Sequence, residues 1–445
     1  MKLDLIKDSP GKLFLKYLIP ALGSALVVSV YAFIDTIAVW QGVGYQGTAA
    51  LAVVTPLFQI AAFFGILCGM GAGVLISMAQ GSHDHKKIQS TFKASVNLMI
   101  LFSVGITLLF WIFRDPIYQM LGSSESISSY VHGYGDLLIL IFPLMMFCAW
   151  CPFICRVDQN PNLPLYSTLI GGSFNIFGDW FFVFPMKMGI FGAILATAIG
   201  YLVQALVLAF HFISKKNTFR YRDVQTSTKD SYRIIQCGFG TAFLEVALVA
   251  ATVLMNNQIQ AYMDESALAI YGVLLTVSAL FSHMFMGMGQ AASPILSANL
   301  GAAKPKRILE VQRYTMITTG IFSILFFACG WFFPDEIIIL FVKSTPEIMA
   351  ISKPIVQMYF VSFLFLGINT VIVYVLQSLE QNMAATILTM LRGIVLIFIL
   401  LYTLPVFFGS IGIWYSVILN DLIIAMVSLY LLWKSDRNFH RLANQ

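Results

Sequence analysis

Charge is confined to the joints of this chain. Between the joints run twelve apolar stretches, at 14–38, 50–78, 92–113, 134–155, 164–184, 190–213, 234–260, 267–298, 313–333, 354–377, 386–408 and 411–433. A helix crosses the hydrocarbon core of a bilayer with about 20 apolar residues, so each stretch is long enough to span. Membrane β-barrels are disfavoured because their strands alternate polar and apolar residues over short segments, whereas these runs are long and apolar on all sides. Only 11% of the residues are charged, against about 25% in a soluble domain. The expected fold is an all-α membrane protein of twelve transmembrane helices. The first apolar run is too long for a signal-peptide core and is expected to stay in the membrane.

The basic residues orient the chain. With the amino terminus inside and the loops alternating, 22 of the 26 Lys and Arg residues fall on the inner side. Only Arg114, Lys187, Lys343 and Lys353 fall outside. A missed helix would swap every later loop and destroy this bias, so the positive-inside rule favours an even helix count with both termini in the cytoplasm. Basic loops beside anionic lipid account for the net charge of +5, so no nucleic-acid partner is expected.

The chain also repeats itself. Gly69-Met70-Gly71 returns as Gly287-Met288-Gly289, an offset of 218 (287 − 69). Gly81 returns as Gly301 and Asp115 as Asp335, both at an offset of 220 (301 − 81 and 335 − 115). Asp158-Gln159-Asn160 returns as Glu380-Gln381-Asn382, at an offset of 222 (380 − 158). Helices 1–6 therefore match helices 7–12, and an even number per half makes the repeats parallel. The expected organisation is an amino-terminal six-helix bundle at 1–213, a basic cytoplasmic linker at 214–233 and a carboxy-terminal six-helix bundle at 234–445. Two similar bundles suit alternating access by rocking of one against the other.

A carboxylate near the bilayer centre costs about 2.5–3.5 kcal/mol even on gentle scales and marks an ion or proton path. Asp35, Asp179, Glu245 and Asp421 all fall inside apolar runs. No Lys or Arg is expected to pair with them, because Lys16 and Arg392 sit near run ends, where they snorkel. Unpaired buried acids bind a proton or a cation. Asn175 and Asp179 are four apart and share a helix face, a pairing that suits a hard cation or a protonated acid. Thr197 adds a hydroxyl, while spacing alone does not say whether Asp35 joins them. Pro20, about four turns before Asp35, kinks helix 1. The glycines from Gly65 to Gly73 lack the ending of a phosphate loop and suit close helix packing instead. Cys148, Cys151 and Cys155 share a helical face by spacing; packing is preferred to a metal or redox site, because no His or further Cys pair lies near.

Several stretches carry a family resemblance over nearly the whole length. These are Ile19-Pro20-Ala21, Phe33-Ile34-Asp35-Thr36, Arg156-Val157-Asp158-Gln159-Asn160-Pro161, Asn175-Ile176-Phe177-Gly178-Asp179 and Gly192-Ala193-Ile194-Leu195-Ala196-Thr197. In this order the chain resembles the multidrug and toxic compound extrusion (MATE) family. The resemblance implies a V-shaped pair of bundles. The chain is expected to be a monomer in the plasma membrane, a transporter and not an enzyme, with no cofactor beyond a coupling ion. It implies antiport of small organic molecules, often cations, against sodium ions or protons. The coupling positions carried over are Asp35, Asn175, Asp179 and Thr197, with helix 1 bending at Pro20. Glu245 matches an acid of the second bundle, whose usual acidic partner stands here as Asn369. The alternatives are a lipid-linked oligosaccharide flippase, which would want a basic cavity, and a membrane enzyme, for which no nucleophile or metal box stands out.

Overall fold

The computed structural model describes residues 4–214, 217–221, 224–341 and 346–443. Of the basic residues counted above, Lys2, Lys215, Lys216, Arg222 and Lys343 lie outside the described residues, as do 215–216 and 222–223 of the expected linker. The first half runs α1 (Pro10–Val43), α2 (Tyr45–Gly81), α3 (His85–Ile112), α4 (Arg114–Met120), α5 (Ser128–Leu140), α6 (Phe142–Val157), α7 (Asn162–Val183) and α8 (Gly189–Ile213). The second runs α9 (Thr228–Tyr262), α10 (Glu265–Gly301), α11 (Pro305–Phe332), α12 (Pro334–Phe341), α13 (Pro346–Val361), α14 (Phe363–Ser378) and α15 (Asn382–Met390). A π-helical turn at Leu391–Val395 leads into α16 (Leu396–Phe408), and α17 (Ile411–Ala443) ends the chain.

Among the described residues, ten helical spans are long and apolar enough to cross a membrane, and α5 with α6, bent by 53°, makes an eleventh. The twelfth expected span is α7. Its 22 residues extend about 33 Å, enough to cross. Asn175, Asp179 and several Gly, Ser and Thr residues hold its apolarity below that of the others. The all-α fold therefore has six spans per half, and the helix least like a membrane span carries two of the polar residues singled out above.

The repeat is visible in the backbone. Each half has three long helices, a short one (α4, α12), a span interrupted near its middle (α5/α6, α13/α14) and two further spans. The interruptions fall at Ile141 and Ser362, an offset of 221 (362 − 141). After α2 and α10 the chain turns through left-handed His83 (φ 59°) and Ala303 (φ 52°), an offset of 220 (303 − 83). Both turns close with the same bond, Asp84 N–H to Ala79 O and Lys304 N–H to Asn299 O, each 2.9 Å. Left-handed Gln159 and Glu380 repeat the pattern after α6 and α14. Non-glycine residues rarely adopt positive φ, so two matched pairs at nearly one offset mark a duplicated fold.

The chain groups into two compact units, one of Met1–Asp4 and Ile19–Ala242, the other of Leu5–Leu18 and Phe243–Gln445. In the first, α2 is gripped through its glycines. A Cβ on Gly65 or Gly69 would stand 2.7 or 2.9 Å from carbonyl oxygens of α6, and one on Gly71 2.0 Å from the Ile234 carbonyl oxygen of α9. The glycine stretch is thus a packing surface. Its neighbours include an aromatic stack of Phe92, Trp150 and Phe212, where Trp150 donates to the Ser95 hydroxyl at 2.6 Å. In the second unit, Phe281 stacks on Phe326 at 3.8 Å. There the carbonyl of Leu5 accepts from Asn299 at 3.1 Å, which anchors the segment before α1. Exposed Ile100, Leu101, Leu108 and Ile112 form an apolar face on α3, as expected where lipid is the solvent.

A latch holds the segment after α8. The buried Asp158 carboxylate accepts the Thr218 backbone N–H at 3.0 Å, the Thr218 hydroxyl, and lies 2.7 Å from His211 Nε2. Phe219 inserts beside Phe92, and the Arg220 N–H donates to Gln89 at 2.8 Å. Hydrogen bonds to a charged group contribute about 1.5–3 kcal/mol each. Asp158→Ala is expected to speed limited trypsin cleavage between α8 and α9 by about tenfold or more. An unchanged rate would mean that the carboxylate does not hold this segment.

Candidate functional site

Small residues bring three helices of the first unit together. A Cβ on Gly172 of α7 would stand 3.0 Å from the Tyr31 ring of α1, and one on Gly42 of α1 2.0 Å from Val183 of α7. These contacts lay α1 along α7 in the register that sets Asp35 beside Asp179. Between α7 and α8, a Cβ on Gly178 would meet Ala196 at 2.8 Å and one on Gly200 would meet Asn175 at 2.9 Å. The close approach puts Asn175 Nδ2 3.4 Å from Thr197 Oγ1.

Asp35 adjoins the Asp179 carboxyl and the Thr197 hydroxyl, so the structure unites all four expected residues. Tertiary contact brings Asp35 beside the other three, a proximity that spacing leaves open. A fifth group joins them: Tyr134 of α5 neighbours Asp35, Asp179 and Thr197. Among the described residues, five buried oxygens of this cluster find no hydrogen-bond partner: Asp35 Oδ1, Asn175 Oδ1, both Asp179 carboxylate oxygens and the Tyr134 hydroxyl. Buried polar groups are normally satisfied. Asp179 is fully buried, and its carboxylate is of the kind that takes up a proton or a cation. Its donors are all hard oxygens, which fit sodium or a proton and not a soft metal. Asn175 and Thr197 also line a small cavity with Tyr31, Gly171, Gly200 and Gln204, which gives the cluster an open side.

Thr197 supplies its hydroxyl to a charged site, a contribution of about 1.5–3 kcal/mol when made. If the cluster takes up sodium, Thr197→Val is expected to weaken sodium binding by the purified protein about tenfold, read by equilibrium dialysis. Unchanged sodium affinity would remove Thr197 from the site.

Pro20 lies inside α1, which continues through it without a break. The Ser24 hydroxyl donates to the Pro20 carbonyl at 2.9 Å.

In the second unit, Glu245 is buried. Asn369 is buried too, and its amide donates to the Asp421 backbone oxygen at 2.9 Å. Asp421 departs from expectation. Arg392 does not snorkel: its Nε lies 2.7 Å from Asp421 Oδ1, with the Arg392 side chain only 18% exposed. The cause is local, because Arg392 sits on the π-helical turn, within reach of α17. The expectation that no cation pairs with the buried acids therefore fails at Asp421.

The sequence profile described as MatE matches residues 20–181 and again 241–403. The chain belongs to the MatE family. The second MatE match begins at an offset of 221 from the first (241 − 20) and ends at one of 222 (403 − 181), which is the offset of the backbone repeat. Asp35, Asn175 and Asp179 fall in the first MatE segment, and Glu245, Asn369 and Arg392 in the second. Multidrug export protein MepA of Staphylococcus haemolyticus (strain JCSC1435) is 22% identical over 429 residues, covering 96% of this chain and 94% of that protein. A structure described as the outward-facing conformation of a multidrug resistance MATE family transporter of the MOP superfamily superposes with a TM-score of 0.91. It is 19% identical and covers 99% of this chain and 98% of that one. A MOP superfamily transporter from Pyrococcus furiosus, described by a binding pocket of reverse polarity, gives a TM-score of 0.91 at 20% identity, covering 98% of each chain. At this identity the structures establish the MatE fold and nothing finer.

Proposed function

We propose that this MatE chain is a secondary active exporter of the plasma membrane, exchanging small organic molecules, organic cations among them, for sodium ions or protons. The observation that carries the reading is the set of donor-less buried oxygens at Asp35, Asn175, Asp179 and Tyr134. A site with two carboxylates and no cation among the described residues is stable only when something positive fills it, and it can be refilled each cycle. The membrane potential contributes about 2.3 kcal/mol per charge per 100 mV, which favours entry of the coupling ion from outside. Filling the cluster changes how α1 packs on α7, and Pro20 supplies a weak point in α1. The export activity borne in the name of MepA supports the direction of transport. A flippase would want an uncancelled basic cavity, and the charge of Arg392 is met by Asp421.

Proteoliposomes loaded with a fluorescent organic cation test this reading. An imposed sodium or proton gradient is expected to drive the dye out at least about tenfold faster than its absence, and the effective gradient names the ion. Equal rates with and without either gradient would overturn it.

A further inference from the structure

The second unit contains a largely apolar cavity of about 140 Å³ whose wall carries one ion pair. Arg392 and Asp421 line it together with Tyr271, Tyr359, Thr370 and Asn420. In the first unit the oxygens of Asp179 lack a donor among the described residues. In the second unit Arg392 Nε sits on Asp421 Oδ1 at 2.7 Å, a guanidinium seated on a carboxylate.

We propose that Arg392 is the resident cation of the second unit: it occupies, on a covalent tether, the place that a mobile ion would take on Asp421. A guanidinium is never deprotonated in proteins, so this cation does not leave during a cycle. Asn369 and Thr370 of α14 reinforce the pair, at 3.5 Å from Asp421 Oδ1 and Arg392 Nη1 respectively. The π-helical turn is the device that seats it, since such turns displace one helical residue from its normal register and recur at functional sites. Among the described residues lining the cavity, the titratable groups are Arg392, Asp421, Tyr271 and Tyr359; Glu245 of α9 is not among them. Without Arg392, Asp421 would face neutral groups only and would have to take up a proton or a metal cation. Asp421 is thus a latent ion site that the native chain keeps closed.

Ion binding by the purified full-length protein tests this without any transport step, so its failure is separable from failure of the export reading. Bound sodium is counted by equilibrium dialysis, and protonated carboxyls by infrared absorption of their C=O stretch. Arg392→Gln is expected to gain one equivalent, as sodium or proton, over the wild type. Arg392→Lys, Asp421→Asn and the double variant Arg392→Gln/Asp421→Asn are expected to keep the wild-type count. No gain in Arg392→Gln would overturn the proposal, and so would the loss of an equivalent in Asp421→Asn alone. Should Arg392→Gln fail to fold, the Asp421→Asn count decides by itself.

Discussion

Asp179→Asn is expected to reduce gradient-driven export to the level of empty vesicles while the protein still inserts and folds. Asp179 is fully buried, and neither of its carboxylate oxygens has a donor among the described residues. In the proposed antiport its charge is held for a ligand and not for the fold. An ion pair at about 4 Å contributes roughly 4 kcal/mol at the effective dielectric of a partly hydrated protein site, equivalent to about a thousandfold in affinity. Asparagine keeps the shape and loses that interaction. The melting temperature is expected to stay level or rise, because an uncompensated buried carboxylate is removed. Asp35→Asn is expected to act in the same direction. The two acids serve one site, so the double variant loses no more than the worse single one. Export by Asp179→Asn at wild-type rates in reconstituted vesicles would show that the cluster is a structural clamp.

Gly71→Leu is expected to have the largest effect on folding. The added Cβ would lie 2.0 Å from the Ile234 carbonyl oxygen, and the reciprocal Cβ on Gly238 would lie 2.0 Å from that of Leu67. Both obstacles are backbone atoms, so no side chain can swing aside. Overpacking costs about 1–3 kcal/mol where a core can yield, and this crossing has little freedom to yield. Size-exclusion profiles in detergent are expected to show aggregation and loss of the monodisperse peak. Gly105→Leu, where a Cβ would meet nothing within 4 Å, is the control and is expected to behave as wild type. A Gly71→Leu protein melting with the wild type would mean that α2 and α9 do not cross this closely.

Spans were legible because charge punctuates them, and the duplication was legible because short glycine and acid motifs recur at nearly one offset. The break before α6, inside the run read as 134–155, was not foreseen, although Pro143 falls in the first turn of α6. No proline stands at the equivalent break at Ser362, where the interruption is a property of packing. Half of the site could be read from spacing, since Asn175 and Asp179 are one turn apart on one helix. Asp35 and Tyr134 lie on other helices and join only through close α1–α7 and α5–α8 contact. The pairing of Arg392 was hidden for a different reason. Position along an apolar run suggests snorkelling, and only the π-helical turn brings that side chain to Asp421. His211 was missed likewise, because its partner Asp158 lies far earlier in the chain.

Release of the coupling ion on substrate binding addresses the acid cluster most directly. Purified protein is loaded with sodium or protons, a fluorescent organic cation is added, and release is followed with a sodium electrode and a pH indicator. Antiport through Asp35 and Asp179 predicts one ion released per substrate bound by the wild type and none by Asp179→Asn. Substrate binding that releases no ion from the wild type, or releases the same amount from Asp179→Asn, would contradict it.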